Sequence, residues 1–243
     1  CDADDLIEPS RFDWQVAALE ADPSLVAVAG AFATMDHEGR PVAELGTERS
    51  AGDLTQALLA GETFTHFCAW LVRREAIEAI SGAREWFETA EDLDLQFRLA
   101  EVGRVLYIPK IAYYYRLHNA SITHRSGTKR REFFEACSRE FTRQRAQRGV
   151  DLLAEGRPPA PPDATDDKPT DSLVQISGQR MGAAWTAIRA GQRCDGLRKL
   201  ANVAWSRPLS WSAWKQLFKA LLIVSASFFG IKRARRTVGS SQK

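Results

Sequence analysis

Residues 89–115 read T-A-E-D-L-D-L-Q-F-R-L-A-E-V-G-R-V-L-Y-I-P-K-I-A-Y-Y-Y, and the pattern changes period half-way. Residues 91–101 carry apolar side chains at helical spacing. Beyond Gly103, residues 105–108 and 111–115 are apolar and aromatic with Pro109 between them, which predicts two strands. The same alternation runs upstream. Residues 9–21 predict a helix, started by Pro9 and Ser10, with Phe12, Val16 and Leu19 on one face. Residues 25–35 and 41–45 read as strands about a turn at 37–40. Residues 51–60 and 74–80 read as helices flanking an apolar run at 67–72. Strands alternating with helices predict an α/β domain over residues 1–125.

Downstream the pattern is helical. Residues 126–155 centre on a charged helix at 129–148. Residues 156–172, GRPPAPPDATDDKPTDS, hold half of the ten prolines and almost no large apolar side chain. Nothing there offsets the entropy of ordering the backbone, so a linker is expected. Residues 173–243 form a helical C-terminal region: two helices meeting near Gly191, then, past Pro208, an apolar stretch at 211–229 that ends in Lys232, Arg233, Arg235 and Arg236.

A chain of 243 residues with 44% hydrophobic and 26% charged residues can build a core. Its net charge of +2 argues against nucleic acid as the partner. The four cysteines, Cys1, Cys68, Cys137 and Cys194, contain no C-x-x-C pair, which excludes the usual zinc and disulfide scaffolds and points to a cytoplasmic location. The sequence opens on Cys1 and runs at once into an acidic cluster, so a preceding N-terminal portion is expected.

Three constellations could carry chemistry. D-A-D-D at 2–5 places Asp2, Asp4 and Asp5 where carboxylates can hold a hard divalent cation such as Mn²⁺ or Mg²⁺. The same residues could instead be an acidic turn capping the helix after Pro9. In the second constellation, Asp92 falls on the stripe of Leu95, Leu99 and Val102. It is therefore expected to point inward from a helix start, as a general base would. Asp94 is expected to face outward and pair with Arg98. Thr89 and Asp92 also have the spacing of a helix cap, so Asp92 could serve there. In the third, Arg116 and His118 leave a strand in the run Y-Y-Y-R-L-H-N-A-S-I-T. Arg116 could neutralise phosphate and His118 could complete a metal site, or both could be surface residues. His66 is expected to be a hydrogen-bonded structural residue.

The order D-A-D-D, L-V-A-V-A-G, H-F-C-A-W-L-V-R-R-E-A, A-E-D-L-D-L-Q-F-R-L-A-E-V-G and I-P-K-I-A-Y-Y-Y-R-L-H-N-A-S-I-T resembles glycosyltransferase family 2 over residues 1–125. The resemblance implies a partial GT-A (Rossmann-like) fold without the N-terminal half that forms most of the nucleoside pocket. It implies that Asp2 and Asp4, with Asp5 beside them, bind a divalent ion and the diphosphate of a nucleotide-sugar donor. It also implies that Asp92 is the base, and that Arg116 and His118 close on the diphosphate or metal. The activity implied is inverting transfer of a sugar to a hydroxyl of a glycan or lipid-linked acceptor. A nucleotidyl- or phosphotransferase, and a non-catalytic fragment that binds a membrane or a partner, are the alternatives.

The C-terminal stretch adds a location. Trp211, Trp214, Phe218, Leu221 and Phe228 recur near one helical stripe, followed by the basic cluster. The uninterrupted apolar run is too short to span a bilayer. A helix lying on the anionic cytoplasmic face of a membrane is expected, with packing against the protein's own helices as the alternative.

Overall fold

A computed structural model describes residues 2–117, 128–163 and 172–238 of the chain. It divides into two compact units, Cys1–Ser172 and Leu173–Lys243.

The first unit is built on two long strands, β2 (Leu25–Met35) and β6 (Arg104–Arg116), which run parallel side by side. Short antiparallel strands flank them. On the outer edge of β6 lie β4 (Gly52–Asp53) along its first half and β1 (Leu6–Ile7) near its end. On the outer edge of β2 lie β5 (Trp70–Val72) first and β3 (Pro41–Leu45) later. The result is a six-stranded mixed sheet within an α/β unit.

The sequence predicts two strands where β6 is one. Gly30 pairs with Ile108, and the next residue, Ala31, pairs with Ile111, so Pro109 and Lys110 bulge out and pairing resumes beyond them. A proline has no N–H to give to a ladder, and a bulge is where a central strand tolerates it.

β2 is lined with small residues because both faces are covered. Ala27, Ala29 and Ala31 pack with Val105 and Tyr107 beneath Phe97, Leu99 and Ala100 of α4 (Glu91–Val102) and beneath Leu54 and Leu58. On the other face Val28 and Leu25 meet Leu19 and Trp14 of α1 (Arg11–Ala21). At Gly30 a Cβ would stand 2.9 Å from the Trp14 ring and 2.8 Å from the Ala112 Cβ, so α1 can approach this closely only over glycine.

The face α1 turns to the sheet is not the one expected. Phe12 and Val16 are exposed, and the buried residues are Arg11, Gln15 and Leu19. Arg11 donates to the carbonyls of Cys68 and Trp70 at 2.8 and 2.9 Å and to the Gln15 amide oxygen. Gln15 donates to the carbonyls of Val28 and Ala69 at 3.0 and 2.9 Å. Here β5 leaves the edge of β2 and exposes carbonyls that a helix of apolar side chains could not satisfy.

Two short helices, α2 (Thr55–Leu59) and α3 (Arg74–Ala79), complete the layer around α4. The charged helix α5 (Thr128–Arg148) packs against α4 and belongs to the first unit. Its Phe134, Cys137 and Phe141 close an aromatic cluster with Trp86 and Phe87. The start of the Pro-rich stretch is tied to α5, where Arg130 donates to the Pro162 carbonyl at 2.7 Å.

The second unit contains α6 (Ser172–Arg189), α7 (Arg193–Ser206) and α8 (Trp211–Val238). Its core is Ala184, Ile188, Leu200, Ala220 and Val224, extended by Val203 and Ala213. A Cβ at Gly196 would lie 2.6 Å from the Ala184 carbonyl oxygen, so α6 and α7 meet over that glycine. Among the described residues no helix is long and apolar enough to cross a membrane.

Candidate functional site

The acidic segment at 2–5 is fastened to the C-terminal end of β6. Leu6 and Ile7 pair with Tyr114 and Tyr113, which brings Asp5 over the last residues of that strand. The Asp5 carboxylate is buried and engaged at both oxygens. Oδ2 accepts from the Tyr113 hydroxyl at 2.7 Å, and Oδ1 accepts from the Arg116 backbone N–H at 2.6 Å. The Asp2 N–H donates to the same tyrosine oxygen at 3.1 Å. Burial raises the Asp5 carboxyl above its ordinary value; the two hydrogen bonds oppose that rise without cancelling it. Burial also raises the Tyr113 phenol, and its bond to Asp5 adds to the shift, so this hydroxyl remains a donor.

Asp5 is therefore the peg of the D-A-D-D segment, while Asp2 and Asp4 are exposed. Arg116 makes the second fastening. Its Nε donates to the Asp4 carbonyl at 2.6 Å, and Nη1 reaches the carbonyls of His37 and Asp36 at 3.2 and 3.4 Å. The 36–40 turn is closed by the buried Asp36, which accepts from the N–H groups of Glu38 and Arg40 and from Arg40 Nε. Asp2, Asp4, Asp5 and Arg116 are thus brought together where two parallel strands end, the edge at which open α/β sheets bind ligands. Tyr113 is essential to this arrangement, yet nothing in Y-Y-Y distinguishes it from its neighbours. His118 lies outside the described residues.

Asp92 is on a different element and is half-buried in the first turn of α4. The helix starts after Ala90, held at φ 61° in the left-handed region, so Ala90 and not Thr89 occupies the cap position. Asp92 Oδ1 accepts from the Leu93 N–H at 3.0 Å. One turn on, Gln96 accepts the Thr63 hydroxyl at 2.5 Å. The 63–66 segment connects α4 to the acidic cluster. Thr65 donates to the Gly30 carbonyl, and His66 stacks on Tyr115 and Tyr113 with ring centroids 5.2 and 6.3 Å away. His66 Nδ1 also accepts the Cys68 N–H at 3.3 Å, the structural role expected of it.

Asp94 does not face outward as expected, whereas Asp92 is half-buried. Asp94 has no exposed surface, and residues 94–100 are all buried. Asp94 accepts from Arg98 at 2.8 Å, as its spacing predicts, and from Arg84 through a bidentate pair. Arg84 continues to Asp151 at 2.7 Å, which also pairs with Arg145, and Arg145 reaches Glu101. The helical wheel misleads here because it assumes one buried face. α4 is covered by the sheet on one side and by α5 and the 80–87 segment on the other. Burial of Asp151 would raise its carboxyl, but the Ala154 N–H, Arg145 and Arg84 outweigh it and hold the group below the usual range.

As a cation site, the acidic segment offers the hard oxygen donors that Mg²⁺ or Mn²⁺ prefers, from Asp2 and Asp4, with Asp5 committed to the fold. Among the described residues no three His, Cys, Asp or Glu side chains already converge as a metal-binding group. No protein-family model matches the chain, and no curated protein sequence matches it.

Proposed function

We propose that this chain is the metal- and acceptor-side part of a GT-A type inverting glycosyltransferase. It would transfer a sugar from a nucleotide-diphosphate donor to a hydroxyl of a glycan or lipid-linked acceptor. The observation that carries this reading is the double fastening of the 2–5 segment by Asp5 and Arg116 at the end of the parallel strands. It leaves the Asp2 and Asp4 carboxylates exposed, beside an arginine, at the ligand-binding edge.

Asp2 and Asp4 would hold Mn²⁺ or Mg²⁺, which supplies charge neutralisation for a departing diphosphate when bound. Arg116 uses Nε and Nη1 to position the acidic segment, and its guanidinium would face phosphate oxygens there. Asp92 accepts the acceptor's hydroxyl proton as that oxygen bonds to the anomeric carbon. The bond from that carbon to the diphosphate oxygen breaks in the same displacement, and the configuration inverts. The Leu93 N–H occupies one Asp92 oxygen and steadies the carboxylate, leaving Oδ2 for the proton.

A donor labelled separately in the sugar and in the β-phosphate tests the reaction class in the full-length protein. The sugar label is expected on the acceptor. Phosphate label on the acceptor would make the protein a phosphotransferase and overturn the proposal.

A further inference from the structure

The two units carry opposite charge. Leu173–Lys243 holds thirteen Lys and Arg against one acidic residue, Asp195, whereas Cys1–Ser172 holds twenty against thirty. From residue 196 to the end there is no Asp or Glu. The near-neutral total conceals a strongly basic helical unit.

That unit also exposes a large apolar face. α8 turns Ala213, Leu217, Ala220 and Val224 toward α6 and α7, so its inner side is already packed. Trp211 is 74% exposed, Phe218 55% and Leu222 72%, and at intervals of seven and four they share one stripe of the helix. Trp205, 72% exposed, stacks edge-on against Trp214 beside that stripe. Leu209, in the α7–α8 connection, is 99% exposed. A row of large apolar side chains on the outer side of a helix whose inner side is satisfied marks an interaction surface.

Charge selects the occupant. Lys215 lies on the exposed stripe between Trp211 and Phe218, and the exposed Lys219 flanks it, with its ammonium 5.7 Å from the centre of the Trp185 ring of α6. Lys232, Arg233, Arg235 and Arg236 follow in the same helix. Apolar side chains rimmed by lysines, with no carboxylate on the helix, suit a surface that is apolar inside and anionic outside. Lysine stems lie along apolar surface while their ammonium groups reach phosphate. Tryptophans favour the same depth.

We infer that the Trp211–Phe218–Leu222 face of α8 docks in plane on an anionic lipid bilayer, with Lys215 and Lys219 against the headgroups. This does not rest on the glycosyltransferase reading, and its test needs no sugar donor.

Sedimentation of the full chain with vesicles tests it, read together with tryptophan fluorescence. Vesicles of phosphatidylcholine mixed with phosphatidylglycerol are expected to pellet the protein at low salt and blue-shift its emission. Phosphatidylcholine alone is expected to bind far less. Lys215→Glu with Lys219→Glu should weaken binding about twentyfold or more, at about fivefold for each charge lost near the surface. Trp211→Ser with Leu222→Ser should weaken it comparably while leaving the far-ultraviolet circular dichroism unchanged, because both side chains are exposed. Indifference to anionic vesicles at low salt overturns the inference. So does equal binding to neutral vesicles, or binding that survives both double substitutions. Tighter binding to duplex DNA than to the vesicles would assign the charge to nucleic acid. A lipid-free dimer that Trp211→Ser with Leu222→Ser dissociates would assign the face to a second copy. Either result overturns the inference as well.

Discussion

The Asp5 carboxylate and the Tyr113 hydroxyl meet at 2.7 Å across 108 residues of chain. This bond, with the Asp5 bond to the Arg116 N–H, decides where the acidic segment sits. Tyr113→Phe removes the hydroxyl from a buried carboxylate that keeps one partner. The expected loss is about 1–3 kcal/mol, the usual cost of leaving a buried polar group short of a bond. Denaturant unfolding measures it. A stability equal to that of the unsubstituted protein would show that the segment is held elsewhere.

Asp5 also has a pH signature. Its folded-state carboxyl is raised above its ordinary value, chiefly by burial. The stability it contributes is therefore fully present below the ordinary carboxylate value and is lost as pH rises through the raised one. Asp5→Asn cannot titrate. Relative to this variant, the unsubstituted protein should gain stability as pH falls through the weakly acidic range, measured by thermal unfolding at a series of pH values. A difference independent of pH would contradict the burial of Asp5.

Asp151 behaves in the opposite sense. Its carboxyl is held low, so its contribution is present above the ordinary carboxylate value and is lost as pH falls through the depressed one. Acid unfolding of the unsubstituted protein should steepen below the ordinary carboxylate range, and Asp151→Asn should lose that steep component. An unchanged acid limb in the variant would show that the network does not control it.

The two α4 aspartates should separate cleanly. Asp94→Ala leaves Arg84 and Arg98 without their shared carboxylate and should cost about 3–5 kcal/mol, as breaking a buried pair does. Asp92→Asn should leave stability nearly unchanged. In the full-length protein it should lower sugar transfer by about two to four powers of ten, with Mn²⁺-dependent donor binding retained. Glu91→Gln, at an exposed position, is the matched control for both measurements. Transfer within a few-fold of normal in Asp92→Asn would remove Asp92 from the base role.

Asp4→Ala tests the cation site. Its side chain is exposed, and the bond from Arg116 goes to its backbone carbonyl, so that fastening survives the substitution. Mn²⁺-dependent nucleotide binding by the full-length protein should fall about tenfold or more, the usual scale for losing a metal-site group. Calorimetric titration with and without Mn²⁺ reads this directly, and an unchanged affinity would place the cation elsewhere.

The sequence by itself determined the elements whose cause is local. β2 and β3, the helix after residue 90 and the two helices about Gly191 follow from side-chain periodicity and from turn residues that act over a few positions. The tertiary structure alone decided which polar residues lie inside. Gln15 is buried because carbonyls from Val28 and Ala69 converge on it, and Asp94 because Arg84 and Arg98 meet it under α5. Asp5 became the peg, leaving Asp2 and Asp4 at the surface, because Tyr113 arrives from the far end of the domain. A carboxylate's cost of burial depends on partners supplied across the fold, whereas an apolar side chain needs only exclusion from water. The hydrophobic pattern of the strands was legible along the chain for that reason, and the pairing of charges emerged only once the chain had closed on itself.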